Sequence, residues 1–485
     1  MTLASELPGG SSSSLSEPST STPAPTPTPS PTPSPALSSG GFGTYEKLFA
    51  INSPWNVRPV NPVLSSAGIQ KNVYYPDISE GAYSTGIFKA SPTDPPMTVY
   101  AASGQAGISD PDIGGYLNSF AVPHWPANVT SATGTDGHAD IVDESTGMVY
   151  SFWVLRNDGT KWTAYLATTS PLAGRGWGNP AHYYQGARAT GVPTSGGVIR
   201  KSEYKDGDTQ YRHVLAMSMP KETLSGVSPG YVFPATSADW DYSANTGSIP
   251  EGALMMLPPD FNVAALHKAD MQKVARTLMT YGARVVDRNV GTPYVIYVES
   301  GTGWVGHSDS PNYWDVDYAS DLDTVRAALR MVSSQSGFID NNGTSVNLTP
   351  DSSDYELFSL RGPWKLDAGS VVGNYDSISQ SLSWGATGST ASVQRNTNGT
   401  QYGHVAWAKF VPGKVYKLSV SATGGAKFNF EIHNPSTYAT LFSSGNLSDG
   451  QTVEFTWPNG DYVVPIATSG TNVSSSSLKI SLTRK

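Results

Sequence analysis

The chain contains no cysteine. That excludes a disulfide framework, thiolate-held zinc or iron–sulfur centres and a cysteine nucleophile. It leaves export open, because many large secreted bacterial proteins stand on core packing alone. Charge is also scarce: Asp, Glu, Lys and Arg make up 14% of residues, and the net charge of −9 is spread without a basic run or stripe. Neutralisation of nucleic-acid phosphates is therefore not expected to drive binding. No apolar run reaches the roughly 18 residues a spanning helix needs, so no membrane span is expected. The opening MTLASELPGG has neither a positive region nor an apolar core. The expectation is a secreted, extracellular protein whose signal peptide has been removed, or one carried on a phage particle.

What the chain has in quantity is Gly, Pro, Tyr and Trp. At 485 residues it is long enough for two folded domains plus non-globular sequence. A turn-rich composition with many aromatics favours β structure over helical bundles. Residues 1–41 hold the tract LPGGSSSSLSEPSTSTPAPTPTPSPTPSPALSSGG, with almost nothing to bury. It is expected to be a disordered, extended polyproline-like linker of the sort that joins extracellular modules.

Residues 42–343 form the expected larger, catalytic domain. VYSFWVL, RNDGT and KWTAYLA read as a hairpin. TQYRHVLAMSM reads as a central strand, apolar on both faces, that includes His213. Two helices interrupt the strands. DMQKVARTLMTYG has Asp270 as its N-cap, an apolar stripe of Met271, Val274, Ala275 and Leu278, and Gly282 as its stop. SDLDTVRAALRMV pairs Ser320 with Asp323 as a cap and faces Leu322, Val325, Leu329 and Val332 inward. SVNLTPDSSDY is a polar break, and residues 352–485, from GPWKLDAG to QTVEFTWPNGDYVVPIAT, repeat strand–turn–strand without a helix. The expected fold is mainly β: a β-sandwich or jelly-roll-like large domain with a few helices, and a smaller C-terminal β-sandwich similar to carbohydrate-binding modules.

NSPWN, DGHADIVD, YSFW, GARATGVPTSGGVIRKSEY, HVLAMSMP, FPAT, IPEGALMML and YGARVVD span most of residues 45–300. Together they resemble a broad group of bacterial secreted and phage-borne β-rich proteins linked to extracellular polysaccharide. The resemblance implies carbohydrate-related work outside the cell and attaches no particular reaction.

His138 and Asp140 sit two apart in DGHADIVD and so share a face if the stretch is a strand. The Gly-rich loop lacks the spacing of a nucleotide cradle, so its glycines serve tight turns or close backbone approach, and it brings Arg188, Arg200 and Glu203. Asp143 lies near His138 and Asp140, but no HExxH, calcium-loop consensus or GxSxG elbow accompanies them, so no metal or cofactor is expected. Two chemistries fit. In a lyase acting on a uronic-acid polymer, Arg188 or Arg200 neutralises the carboxylate, His138 or His213 removes the proton and Tyr211 donates to the leaving oxygen. In a hydrolase, paired carboxyls flank the bond, with Asp140, Glu203 and Asp287 available. The lyase is favoured, because both histidines and the Arg-bearing loop lie in the resembling segments. Trp153, Trp162 and Trp177, with Trp125 and Trp240, offer flat faces for sugar rings. A non-catalytic glycan-binding or adhesion protein is the alternative from another class, with polysaccharide as the partner in either case.

Overall fold

The computed structural model describes residues 41–348 apart from 112–114, 118, 179–183 and 305–314, and beyond them 358–360, 374–376, 381–386, 390, 392–394, 405–407, 412–460, 462–471 and 474–484. The expected linker, the GPWKLDAG segment and most of the polar break lie outside these residues.

Alternation along the strands builds the larger unit as stacked layers. A seven-stranded sheet runs Val63–Gly68, Arg330–Ser334, Leu254–Met256, Ala283–Asn289, Leu215–Pro220, Val295–Tyr297, Asp77–Ser79. On one face Leu215, Met217, Val285 and Ile296 meet the apolar stripes of two helices, α1 (Ala269–Thr280) and α2 (Val316–Ala328). On the other face Ala216, Val286, Leu254 and Tyr297 meet Ile87, Val142 and Val149. Those three belong to a six-stranded sheet ordered Gly86–Lys89, Ala139–Asp143, Met148–Trp153, Leu166–Pro171, Ile108–Asp110, Gly115–Leu117. The back of that sheet, through Ala139, Ile141 and Phe152, packs on Val99, Val122 and Ala164 of a four-stranded sheet. The molecule is thus mainly β and sandwich-rich, as its composition implies.

The large sheet is mixed where a jelly roll would be antiparallel. Leu215–Pro220 and Ala283–Asn289 run parallel, and the chain between them passes through the antiparallel strand Leu254–Met256 and then α1. A bulge in that pair sets Ser218 opposite Asp287, leaving Val285 and Val286 to opposite cores. Leu215–Pro220 is buried along its whole length, as a central strand should be, but it starts after His213.

Both helices begin earlier than the sequence pattern suggests. In α1 the cap position is Lys268, which makes no side-chain cap bond. The buried Asp321 of α2 instead accepts from the backbone N–H groups of His267 and Lys268 at 2.9 and 2.8 Å. Asp270 lies one position inside and accepts from Tyr204 Oη at 3.0 Å. In α2 the cap is Asp315, bonded to Tyr318 N at 2.9 Å. Ser320 and Asp323 are therefore mid-helix, and Asp323 pairs with Arg326 at 2.6 Å. The inward residues are as expected except Val332, which lies on the strand Arg330–Ser334.

In the C-terminal region, Val415–Thr423, Lys427–His433 and Tyr462–Thr468 alternate buried and open residues. They contribute to a five-stranded and a four-stranded sheet around an aromatic-rich core drawn from residues 382–482.

Candidate functional site

The turn before Ala139–Asp143 places Asp136, Gly137 and His138 at one end of the six-stranded sheet. Gly137 has φ +47°, and a Cβ there would lie 1.6 Å from Arg156 Nη1, so only glycine lets the guanidinium clamp the turn. Arg156 Nη2 donates to Gly134 O at 2.7 Å and Thr135 O at 3.0 Å. His138 is 2% exposed, and its Nδ1 has no hydrogen-bond partner among the described residues. Burial, with the nearby charges of Arg188 and Arg156, holds its pKa well below the ordinary histidine value, so the ring is neutral at pH 7.

Arg188 arrives from the Gly-rich loop, which folds as a tight turn on the seven-stranded sheet. Arg188 N donates to Val192 O at 3.1 Å, Gly191 N returns to Arg188 O at 2.8 Å, and Thr190 Oγ1 reaches Val286 O at 3.0 Å. A Cβ on Gly186 would fall 1.7 Å from the backbone carbon of Val192, so this glycine permits a close backbone approach. The Arg188 guanidinium lies 3.8 Å above the Tyr297 ring and donates through Nη1 to Asp287 Oδ2 at 3.3 Å. Its Nη2 is buried without a partner among the described residues.

Around Asp287 gather further carboxyls. Glu251, fully buried, accepts from Asp239 N through Oε1 at 3.2 Å. Glu251 Oε2 and Asp239 Oδ2 are buried acceptors that no described group donates to. Burial raises the pKa of both; Asp239 raises that of Glu251 further, whereas Arg288 and the contact with Glu251 pull Asp239 down, so Glu251 stands well above the ordinary range, with Asp287 adding to its shift. Burial and Asp239 push Asp287 up to about 7, against the pull of Arg188. Asp136, which accepts from Trp153 Nε1 at 3.3 Å, adds to the same field. Carboxyls crowded in low dielectric cannot all ionise, so the group retains protons near neutrality. At the rim Arg288 pairs with Asp241 at 2.7 Å, and Trp240, next to Asp239, is 91% exposed.

The structure distributes the sequence-derived candidates between this group and others. His138 and Arg188 join Asp287. Arg200, Glu203 and His213 meet elsewhere, and their bonding is closed. His213 Nε2 contacts Glu203 Oε1 at 2.8 Å and its Nδ1 contacts Val214 O at 2.9 Å. Burial opposes its charge, but Glu203 prevails and raises the pKa. Arg200 is bound to Glu299 at 2.8 Å and to Tyr45 O at 2.8 Å. Tyr211 is 1% exposed with the Lys273 ammonium 4.5 Å over its ring, and burial raises its pKa. This second group ties the loop, α1 and the sheet together.

Asp140 is saturated, accepting from Ser151 Oγ, Thr194 Oγ1 and Ser195 N at 2.5, 2.6 and 2.8 Å. It pins the Arg188-bearing loop to the sheet. Trp177 is fully buried and stacked on Trp55 at 4.7 Å, so it presents no face to a ligand. Trp162 lies half-buried against Trp125 at 5.1 Å, and Trp153 half-buried against Tyr165 at 4.8 Å beside Asp136. Sequence reasoning missed Asp136, Asp239, Glu251 and Tyr297 as a group. One signal was available: Glu251 is the only charged residue in IPEGALMML, and an isolated acid on an apolar run is costly without a use. Among the described residues no cluster of three or more His, Asp or Glu is arranged to hold a metal.

No family model and no curated protein matches the chain. Among solved structures, a glycosylation-associated protein complex from Streptococcus agalactiae is similar at 14% identity and TM-score 0.20, over 26% of this chain and 44% of that one. The accessory secretory proteins 1, 2 and 3 of Streptococcus pneumoniae are similar at 10% identity and TM-score 0.20, over 26% of this chain and 95% of that one. A family 16 carbohydrate-binding module follows at 10% identity and TM-score 0.15, over 27% of this chain and 86% of that one. Likenesses of this size are too slight to carry the chemistry of this chain.

Proposed function

We propose that the larger unit is a glycoside hydrolase acting on an extracellular polysaccharide, with Asp239, Glu251 and Asp287 as the reacting carboxyls. The observation that carries this reading is the meeting of Asp239 and Glu251, acceptor against acceptor, beside Asp287 held by Arg188 at 3.3 Å. Hydrolysis of a glycosidic bond needs one protonated carboxyl to give its proton to the leaving oxygen, and one ionised carboxylate to act as base or nucleophile. The Asp239–Glu251 pair keeps a proton near neutrality on the buried Glu251, and Asp239, nearer solvent, passes it to the leaving oxygen as Glu251 gives its proton up. Asp287, with its side chain 18% exposed and oriented by Arg188, serves as the base or nucleophile. Trp240 and Trp153 offer aromatic faces beside the carboxyls for sugar rings.

Elimination from a uronic-acid polymer fits this group less well. A lyase needs a cation free to pair with the substrate carboxylate, whereas Arg188 is engaged with Asp287 at 3.3 Å and Arg288 with Asp241 at 2.7 Å. The test is incubation with a panel of neutral and acidic polysaccharides while following reducing ends and ultraviolet absorbance together. Reducing ends without new absorbance support hydrolysis, absorbance growth supports elimination, and retention of glycan with neither supports a binding protein.

A further inference from the structure

We propose that Arg188 and His138 read the hydroxyls of a neutral sugar ring, Arg188 through Nη2 and His138 through Nδ1. This rests on the glycoside reading and narrows it to uncharged sugars at the bond that is cut. Arg188 and His138 are each 2% exposed, and the named atoms have no partner among the described residues. Leaving buried polar atoms unpaired costs stability; Trp177 Nε1 and Tyr211 Oη are unpaired among the described residues too, but of these four only those of His138 and Arg188 belong to the side chains gathered with the Asp287 carboxyl group. Neither side chain is free to turn elsewhere. Arg188 is fixed by Tyr297 below and Asp287 beside it, and His138 by the turn that Arg156 clamps.

The open atoms form a mixed set. Arg188 Nη2 only donates, Glu251 Oε2 and Asp239 Oδ2 accept when ionised, and His138 Nδ1 does either according to tautomer. A ring bearing adjacent hydroxyls, each both donor and acceptor, satisfies all of them. A uronate carboxylate brings acceptors alone; it would suit Arg188 and meet Asp287 as a like charge. An amino sugar would bring a cation toward Arg188. The neutral ring is the ligand with no such conflict.

The test is saturation-transfer NMR of the full chain with glucose, xylose, glucuronate and glucosamine as probes, so that no turnover is required. The expected result is binding of a neutral probe in preference to both charged ones. His138→Leu and Arg188→Met should each weaken it about tenfold or more, a loss of about 1.4 kcal/mol. His138→Asn, whose amide stands near the Nδ1 position, should stay within about threefold of the original. Preference for glucuronate or glucosamine, absence of neutral-sugar binding, or unchanged affinity in folded His138→Leu and Arg188→Met overturns the proposal. If His138→Leu does not fold, the neutral probe must instead shift the His138 ring signals of the unaltered protein, and static signals overturn it. Glu251→Gln separates the two readings. Sugar binding that depends on His138 and Arg188 alongside undiminished cleavage by Glu251→Gln leaves recognition standing and removes the hydrolase mechanism; cleavage lost with Glu251→Gln, and binding indifferent to His138 and Arg188, does the reverse.

Discussion

On the proposed reading, Glu251 both weakens the fold and serves the chemistry. Fully buried beside Asp239, it is held protonated by its surroundings. A carboxyl whose folded pKa is raised binds more protons folded than unfolded, so stability falls as pH rises from the unfolded value through the folded one. The penalty is fully present above the folded pKa. Glu251→Gln removes the titration and keeps the shape. It should raise Tm at pH 8 relative to the original protein, narrow the difference in Tm between pH 5 and pH 8, and abolish cleavage; an unchanged or lowered Tm at pH 8 counts against the buried acid. The same sign applies to Asp287, whose window runs from the ordinary carboxyl range up to about 7. If Asp287 is the base, kcat/KM should fall on the acid side of about 7 as it takes up a proton, and fall again at higher pH as the Asp239–Glu251 pair loses its proton. A profile flat across neutrality speaks against that division of roles. Trp240 makes a simpler prediction. With 91% of it exposed beside Asp239, Trp240→Ala should raise KM several-fold, about 1 kcal/mol, with kcat little changed and Tm unaffected.

At the scale of elements, the site depends on a turn and a loop that tolerate no side chain at one position each. Gly186→Ala puts a Cβ into the backbone of Val192, which cannot swing aside as a flexible side chain can. The variant should lose about 2 kcal/mol or more in urea unfolding, with cleavage falling further than stability because Arg188 rides on that loop. A loss below about 0.5 kcal/mol would mean the loop closes differently. The elements themselves were largely legible in the sequence. The stripe Met271, Val274, Ala275 and Leu278 is buried as its spacing implies, and LAMSMP is a central strand. The α1 cap was misassigned because that N-terminus is satisfied by Asp321, some 50 positions away, which no local pattern reveals. The site was legible only in pieces. His138, Arg188 and Asp287 were each noticed, but a parallel strand pair and a docked loop bring Arg188 to Asp287 across 99 positions. His213 looked equivalent to His138 in sequence, yet it precedes its strand and closes on Glu203. Periodicity reports which face a residue takes; it does not report which distant residue meets it there.

On the scale of the whole molecule, two hydrophobic systems can be told apart by their members. The cores of the layered unit draw on residues 48–329, and the C-terminal core draws on 382–482. A fragment ending at residue 348 should therefore keep cleavage of a soluble oligosaccharide at close to the full-chain rate and melt as a single transition. Aggregation or loss of cooperative melting in that fragment would mean the C-terminal region is part of its stability. The cleaving role assigned to the layered unit turns on three carboxyls. The most direct measurement is kcat for Asp239→Asn, Glu251→Gln and Asp287→Asn on whichever polysaccharide is cut, each variant first shown to be folded. The account predicts that each loses about a thousandfold or more in kcat, with a far smaller change in KM, while His213→Ala stays within about tenfold. If the carboxyl variants keep their rate and His213→Ala loses it, the chemistry belongs to the Glu203–His213 group and this account is wrong.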